Sequence, residues 1–393
     1  MPTLAELNKC TGCTACASAC PKDCISMITY ENGFKYPMVN KTVCVSCGLC
    51  EKSCPVVVPF VKSMKHPIAY AAYSKDEPMR MVSSSGGIFT ELSKILLSRG
   101  GIVYGAAYDK EFQVIHIGVE DEPSLSLLRG AKYAQSDLGN IFTQIKKTLE
   151  TGRLVLFSGT PCQVGGLKAF LKKEHENLIT VDFVCHGVPS PMAWSEYIRF
   201  RAKQDIGGGL PSAVNLRSKT SGWSRYRYSN RFEYADGTVN STVSGDSLYM
   251  QLFGANLINR EACSDCLFKG YNRCSDLTIG DFWGIWDVAS EMDDNKGTSV
   301  VLSQSERGAK LLGELEDRLV VKEVALDEAS HENGAMLKSS PIHPRRQEAL
   351  DLIRDGRIAE CAGWFKPSKI SLYRRTRNKI GRIIRCAAKI FLK

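Results

Sequence analysis

A repeated cysteine pattern is the strongest constraint on this chain. The run Cys-x₂-Cys-x₂-Cys-x₃-Cys-Pro occurs twice, once from Cys10 to Pro21 and again from Cys44 to Pro55. In two-cluster ferredoxins, three cysteines of one such run and the fourth of the other hold each [4Fe–4S] cube. We therefore predict two clusters with crossed ligand sets. The first set is Cys10, Cys13, Cys16 and Cys54, and the second is Cys44, Cys47, Cys50 and Cys20.

Other uses of clustered cysteines fit this sequence less well. A disulfide framework requires an oxidising compartment and an export signal. The residues from Met1 to Lys9 lack the apolar core of a signal peptide, so we expect a cytoplasmic protein. Zinc favours separated Cys-x₂-Cys pairs over quartets closed by proline. Cys24 belongs to neither quartet, and we interpret it as a small buried residue.

The basic residues are concentrated at the C-terminal end. The formal net charge is +9, and residues 369–393 hold nine lysines and arginines without one acidic residue. The rest of the chain is therefore neutral, which argues against a nucleic-acid partner. Apolar residues recur with helical spacing between Ile380 and Phe391, which predicts a basic amphipathic helix. Such a helix binds the surface of an anionic membrane, or it docks on the protein's own body or on a partner.

Strand and helix patterns alternate after the cysteine runs. The segments 69–74 and 102–108 read as strands around a helix at 88–101, which predicts a βαβ unit. Two more buried strands are predicted at 153–159 and 178–184. This alternation is typical of a layered α/β fold. A later segment, about 207–247, is rich in glycine, serine and aromatic residues and predicts antiparallel strands or a long loop.

Further cysteines follow the predicted parallel strands. Cys162 and Cys185 each come directly after a strand, at the sheet edge where α/β proteins place their ligands. If the Cys263–Cys266 pair folds back onto that edge, four thiolates would converge on a third cluster. A zinc knuckle, or cysteines that are buried independently of one another, remain as alternatives.

Two other segments favour an anionic cofactor. The loop Ser83–Gly87 lies between a strand and a helix start, where backbone N–H groups and hydroxyls favour phosphate. An ordinary turn with a helix cap is the alternative. Lys132 and Tyr133 add a cation and an aromatic ring.

Several motifs, taken together, resemble one family. Over residues 67–335 the chain is similar to the coenzyme F420 hydrogenase/dehydrogenase beta-subunit family, in which an N-terminal ferredoxin fusion also occurs. The motifs that carry the resemblance are SSSGGIFTEL, RGAKYAQSD, SGTPCQVGGL, CHGVPSP, the Cys263–Cys266 pair and SDLTIGDFWG.

The resemblance implies FAD beside a [4Fe–4S] cluster, with electron or hydride transfer between the flavin and a small or cyclic organic substrate, such as a deazaflavin coenzyme, that is reduced or oxidised. It also implies a redox partner protein as electron donor. The implied ligands of the third cluster are Cys162, Cys185, Cys263 and Cys266. The implied flavin contacts are Ser85, Gly86, Gly87, Lys132, Tyr133 and Ser136. Cys274 has no counterpart in the family pattern, so it either replaces a ligand or lies near the cluster.

Two further segments have candidate roles. His186 is a candidate proton donor because imidazole titrates near neutral pH, with a structural role as the alternative. The run Asp281-Phe282-Trp283 is interpreted either as an edge of the flavin site or as core.

The predicted fold class is α/β (α+β). A small ferredoxin-like domain is followed by a larger α/β domain that binds flavin and a cluster, and then by a basic helix. The predicted boundaries are 1–62 for the ferredoxin domain, 67–150 for the flavin-binding region, 151–335 for the third-cluster region, and 336–393 for a polar linker and tail.

The leading functional prediction is an enzyme, because a flavin converts single electrons from clusters into the pairs that organic substrates need. A non-catalytic electron-transfer subunit and a redox-responsive scaffold or sensor at a membrane-associated assembly are the alternatives.

Overall fold

The structure is a computed structural model that describes residues 2–59, 66–205, 209–224 and 227–365. The amphipathic helix predicted at 369–393 lies outside these ranges. Within them, no helix has the length and apolar character needed to cross a membrane.

Helices and strands alternate along most of the chain, joined by short 3-10 turns. The helices are α1 (Ala15–Ser18), α2 (Leu49–Lys52), α3 (Glu77–Val82), α4 (Ile88–Ser98), α5 (Ile141–Glu150), α6 (Pro161–Leu171), α7 (Pro191–Gln204), α8 (Leu248–Gly254), α9 (Ile285–Val288), α10 (Glu306–Gly313), α11 (Leu326–Ser330) and α12 (Arg346–Arg354). The strands are β1 (Ile25–Thr29), β2 (Lys35–Val39), β3 (Ile68–Ser74), β4 (Ile102–Tyr108), β5 (Val114–Val119), β6 (Val155–Ser158), β7 (Leu178–Phe183), β8 (Ala213–Ser218), β9 (Ser229–Glu233), β10 (Val239–Val243), β11 (Leu277–Asp281), β12 (Ser299–Ser303) and β13 (Leu319–Val324).

The N-terminal domain reflects the cysteine repeat in its backbone. Its two strands, β1 and β2, pair antiparallel, with Ile25 opposite Val39. Each cysteine run contains one short helix, and each helix follows a residue in the left-handed conformation. These residues are Thr14 (φ 63°) and Gly48 (φ 70°), which occupy equivalent places in the two runs. The repeat in the sequence is therefore also a repeat in local structure.

An eight-stranded mixed sheet forms the core of the larger domain. Its strand order is β13-β3-β12-β11-β7-β6-β4-β5, with β11, β7, β6 and β4 parallel. The predicted α/β class is thus confirmed. The predicted strands at 69–74 and 102–108 exist, but β3 and β4 are not neighbours, because β12, β11, β7 and β6 lie between them. Local periodicity identifies a strand, whereas its partners come from distant parts of the chain.

The predicted regions 67–150 and 151–335 contribute strands to the same sheet. Leu92 of α4 packs with sheet residues such as Val103, Leu156 and Val301, and all four are completely buried. The two regions therefore share one hydrophobic core.

A second core lies between α7, α8, α12 and the three-stranded sheet β10-β9-β8. The antiparallel alternative for 207–247 is thus observed. Trp194 and Tyr249 pack there with Leu350 and Ile353 of α12. Residues 336–365 therefore differ from the predicted polar linker, because their apolar helix face is buried on this core.

The ferredoxin domain docks on the larger domain through specific contacts. Ser190 Oγ donates to the carbonyl of Asn32 at 2.7 Å, and Lys35 pairs with Asp137 at 2.5 Å. At a third point, α1 packs against α6. These contacts fix the side of the cysteine domain that faces the sheet.

Candidate functional site

The first predicted cysteine quartet is brought together inside the protein. Its four residues line one small cavity: Cys10, Cys13, Cys16 and Cys54. The Cys13 and Cys16 thiols interact electrostatically with those of Cys10 and Cys54. Desolvation raises the pKa of Cys13 to about 11, so the free thiol is protonated at neutral pH. A bound metal would replace that proton, which is the usual chemistry of a buried thiolate ligand.

The second quartet lines a separate cavity nearer the surface. Its members are Cys20, Cys44, Cys47 and Cys50. Cys47 is exposed, whereas three of the four cysteines in the first quartet are buried. Cys24 is buried as interpreted from the sequence, but its sulfur lies 3.3 Å from that of Cys20. The two quartets thus differ in their access to solvent.

The cysteine sets do not have the geometry of a single-ion site. Within the described ranges, no group of three or more His, Cys, Asp or Glu side chains is close enough to hold one metal ion. A four-iron cube needs its thiolates further apart than the ligands of one zinc ion, which lie about 2.3 Å from the metal. The spacing of these side chains therefore argues against a single-ion site and is compatible with a four-iron cluster.

The four downstream cysteines also converge. Cys162 lies in the first turn of α6, directly after β6, and Cys185 follows the adjacent parallel strand β7. The Cys263–Cys266 turn reaches the same edge, because Asn259 forms a bridge with Pro189. Desolvation raises the pKa of Cys185 to about 12, and the Cys263 and Cys266 thiols interact with it electrostatically. Cys162 interacts with the other three.

Cys274 has different surroundings. Its thiol interacts with Asp182 and Lys168, and its side chain packs on the core formed by α5 and α6. Desolvation is the main cause that raises the pKa of Cys274 to about 12. We conclude that Cys274 has its own packing role in this structure.

A large cleft opens at the carboxyl ends of the parallel strands. Its volume is about 2740 Å³, and Ser158, Phe183 and Asp281, the last residues of β6, β7 and β11, line it. Cys162 and Cys185 form part of its wall. Cofactor pockets usually measure about 300–1,000 Å³, so the cleft has room for a cofactor and a second molecule.

The loop Ser83–Gly87 before α4 lies at this cleft, and some of its residues line the cleft while Gly86 faces the sheet. Ser84 and Gly87 line the cleft, and the buried Ser84 hydroxyl has no hydrogen-bond partner within the described ranges. Ser85 also lines it, although its hydroxyl donates to the carbonyl of Thr298 at 2.9 Å. Gly86 instead faces the sheet, where an added Cβ would lie 2.4 Å from the carbonyl oxygen of Ala72. Close backbone packing, then, is what requires glycine at position 86.

The segment from Arg129 to Ser136 forms another wall of the cleft. Lys132 Nζ donates to the carbonyl of Arg129 at 2.8 Å, and desolvation lowers the pKa of Lys132 to about 7. The Tyr133 hydroxyl accepts from Arg217, and the Ser136 hydroxyl accepts from Gln163, both at 2.8 Å. All the predicted flavin contacts except Gly86 therefore line one cleft.

Arg217 is a site residue that the sequence analysis missed. It is buried, and it donates to Tyr133 and to Asp281 Oδ2, each at 2.8 Å. Its guanidinium lies 4.3 Å from the Trp223 ring and 4.1 Å from the Tyr228 ring. A lone arginine in a segment without clear periodicity gives no signal in the sequence.

His116 is a second missed residue at the cleft. Its Nε2 lies 3.0 Å from the carbonyl oxygen of Ser158, and its ring stacks on Phe157. Desolvation lowers the pKa of His116 to about 4, so the ring is neutral at physiological pH. Nε2 must therefore carry the proton that it donates to Ser158.

The remaining candidates have mixed surroundings. His186 lines the cleft, with Nε2 2.7 Å from Asn256 Oδ1 and Nδ1 3.2 Å from the Ser340 hydroxyl. Its role as a proton donor stays a prediction. Asp281, Phe282 and Trp283 all line the cleft, and Phe282 is also buried in the core.

Comparison with protein families agrees with this geometry. Residues 152–329 match the family that describes the C terminus of the coenzyme F420 hydrogenase/dehydrogenase beta subunit, and residues 9–58 match the "4Fe-4S dicluster domain". These two matches support the resemblance of this chain to the coenzyme F420 hydrogenase/dehydrogenase beta-subunit family that its sequence motifs indicate. The match over residues 9–58 also identifies an N-terminal domain for [4Fe–4S] clusters.

Several solved structures are similar to this chain, and one of them belongs to a hydrogenase complex. A chain of the F420-reducing [NiFe] hydrogenase complex from Methanosarcina barkeri is 17% identical, with a TM-score of 0.47. The match covers 77% of this chain and 93% of the hydrogenase chain. No curated protein matches the sequence.

Proposed function

We propose that the chain is an iron–sulfur flavoprotein oxidoreductase that binds FAD in the cleft. Electrons would pass between the ferredoxin domain and the cleft through a third cluster held by Cys162, Cys185, Cys263 and Cys266. The substrate would be a small or cyclic organic acceptor, such as a deazaflavin coenzyme. The convergence of four thiols, two of which line the cleft, carries this proposal.

The arrangement of the cysteine sets supports a path for electrons. An added Cβ on Gly166 would lie 2.8 Å from the Cys13 sulfur, so the first quartet packs directly on α6. Cys162 lies one turn earlier on the same helix, about 6 Å along its axis. The second quartet, with its exposed Cys47, faces solvent, where a redox partner protein would donate electrons.

The residues of the cleft fit a flavin dinucleotide. When bound, FAD supplies the conversion between one-electron and two-electron chemistry. Ser84 has an unpartnered hydroxyl, Gly87 precedes α4, and Lys132 offers a cation, so these three residues would hold the diphosphate. Tyr133 and Ser136 would contact the remainder of the cofactor.

The test is cofactor analysis of anaerobically purified protein. We expect about twelve irons, a similar amount of acid-labile sulfide, and about one acid-released FAD per chain. About eight irons without flavin would contradict the proposal, since two ferredoxin clusters account for that amount. The chain would then be an electron-transfer subunit whose chemistry takes place on a partner.

Flavin binding is expected to depend on pH through Lys132. Because the pKa of Lys132 is lowered to about 7 by desolvation, its ammonium is charged below that pH and neutral above it. Affinity for the FAD diphosphate should therefore fall as pH rises from 6 to 9, by about tenfold, or about 1.4 kcal/mol. His116, with a pKa of about 4, stays neutral throughout this range.

Fluorescence titration of deflavinated protein with FAD measures this dependence. Lys132→Gln should bind FAD weakly and almost equally at both pH values. Lys110→Gln, which removes an exposed lysine, should retain the wild-type pH dependence. A Lys132→Gln protein with the wild-type pH profile would show that another group holds the diphosphate.

A further inference from the structure

Arg260 is a buried arginine at the junction of the two domains. Its side chain is almost completely buried, with a relative exposure of 2% for the residue. Its Nε donates to the carbonyl of Cys10 at 2.6 Å. Its Nη1 and Nη2 donate to Gln135 Oε1 at 2.7 Å and to the carbonyl of Lys35 at 3.0 Å. Each guanidinium nitrogen therefore has a neutral oxygen as its acceptor.

Among the described residues, no carboxylate neutralises the charge of Arg260. Its guanidinium lies 4.2 Å from the Tyr36 ring and 5.1 Å from the Phe34 ring. In the part of the chain that the structure describes, Arg260 forms no ion pair with an aspartate or glutamate. Burial of a cation without an opposite charge costs several kcal/mol. Such a charge persists in a fold when an anion is bound nearby.

The same residue touches the first and the downstream cysteine sets. Its side chain binds the carbonyl of Cys10, and an added Cβ on Gly12 would lie 2.9 Å from Nη1. Its own carbonyl accepts from the amide of Cys263 at 3.0 Å. Its charge also lowers the pKa of the Cys263 thiol, which desolvation raises. Arg260 is thus placed between two sites for anionic clusters.

We propose that Arg260 is the buried counter-charge that sets the reduction potentials of the clusters on either side of it. A [4Fe–4S] cube with four thiolates is anionic, and reduction adds a further negative charge. A cation nearby in a low-dielectric interior stabilises the reduced form more than the oxidised form. Arg260 therefore acts as a positioning residue and raises the potential at the domain junction. This inference rests on the proposed ligation of clusters by Cys10 and Cys263.

Two substitutions separate the charge of Arg260 from its packing. Arg260→Gln removes the charge and retains hydrogen-bonding capacity, whereas Arg260→Lys retains the charge and loses the planar fork. Lys35→Gln is the matched control, because it breaks the ion pair with Asp137 at the same domain contact and leaves the buried charge in place. All three variants are made in the full chain and purified anaerobically.

Redox titrations monitored by EPR measure the cluster potentials. In Arg260→Gln, we expect the reduction potentials of the clusters on either side of residue 260 to become more negative by about 59 mV. This shift corresponds to a tenfold change in the one-electron equilibrium constant. Arg260→Lys and Lys35→Gln should stay close to the wild-type potential. Iron and sulfide contents are determined on the same samples.

The results distinguish this inference from the proposed function. Unchanged potentials in an iron-replete Arg260→Gln protein would overturn the inference, as would equal shifts in Arg260→Lys and Arg260→Gln. Loss of iron in both Arg260→Gln and Arg260→Lys would show that Arg260 only maintains the structure of the domain junction, and this result would also overturn the inference. A wild-type protein with only about eight irons would contradict the third cluster, while the ferredoxin potentials would still test Arg260.

Discussion

Replacing Cys185 by serine is expected to remove about four irons per chain and to leave the two ferredoxin clusters in place. Cys185 interacts electrostatically with Cys263 and Cys266, so its loss opens the downstream quartet and no other. A serine hydroxyl is a much weaker ligand for iron than a thiolate, because it does not ionise near neutral pH. Iron and sulfide analysis measures the change, and EPR of the reduced protein identifies the clusters that remain.

Cys274→Ser is the matched control for this prediction. Desolvation raises the pKa of Cys274 to about 12, as for Cys185, but the Cys274 thiol lies near Asp182 and Lys168. The iron content of the Cys274→Ser protein should equal that of the wild type. If Cys274→Ser loses the irons and Cys185→Ser keeps them, the ligand set proposed for the third cluster is wrong. Full iron in both variants would remove the third cluster from the proposal.

Gly166→Ala is expected to disturb the first ferredoxin cluster from a position on the neighbouring domain. An added Cβ would lie 2.8 Å from both Cβ and Sγ of Cys13, and 3.4 Å from the Phe142 ring. Alanine would ordinarily stabilise a helix by about 0.5–1 kcal/mol relative to glycine. Overpacking of this kind usually costs about 1–3 kcal/mol, so a net loss of stability is expected.

The measurements are iron content and thermal unfolding of the anaerobic protein. Gly166→Ala should lose up to about four irons and melt at a lower temperature, because Cys13 must move. Gly313→Ala, at the end of α10, has open space around the new methyl group and should show neither effect. A Gly166→Ala protein with full iron and wild-type stability would show that α6 and α1 separate easily.

The cysteine quartets could be predicted from sequence because their constraint is local and repeated. Spacing within each run, with a proline after each fourth cysteine, is sufficient to imply the crossed sets that line the two cavities. The convergence of Cys162 and Cys185 was also accessible, because each follows a strand and parallel neighbours end at one edge. Both inferences use short stretches of chain with strong patterns.

Non-local features could not be read in this way. Arg217 acquires its role from Tyr133 and Asp281, and Arg260 from the carbonyl of Cys10, all of which are distant in sequence. Gly86 belongs to a motif that suits phosphate, yet glycine is required at this position because the adjacent backbone of β3 leaves no space for a Cβ. The helix α12 has a polar sequence on average, and only its buried face shows that it belongs to the core.

The unequal exposure of the two quartets has a consequence for damage by oxygen. Cys47 is open to solvent, while Cys13 is enclosed between its own domain and α6. Dissolved oxidants therefore reach the cluster of the second quartet first, because thiolates that are accessible to solvent are the ones most readily oxidised. A chain that has lost the cluster of the second quartet would keep the cluster of the first quartet shielded. Oxidation would therefore stop electron transfer from the redox partner before it damaged the residues of the cleft.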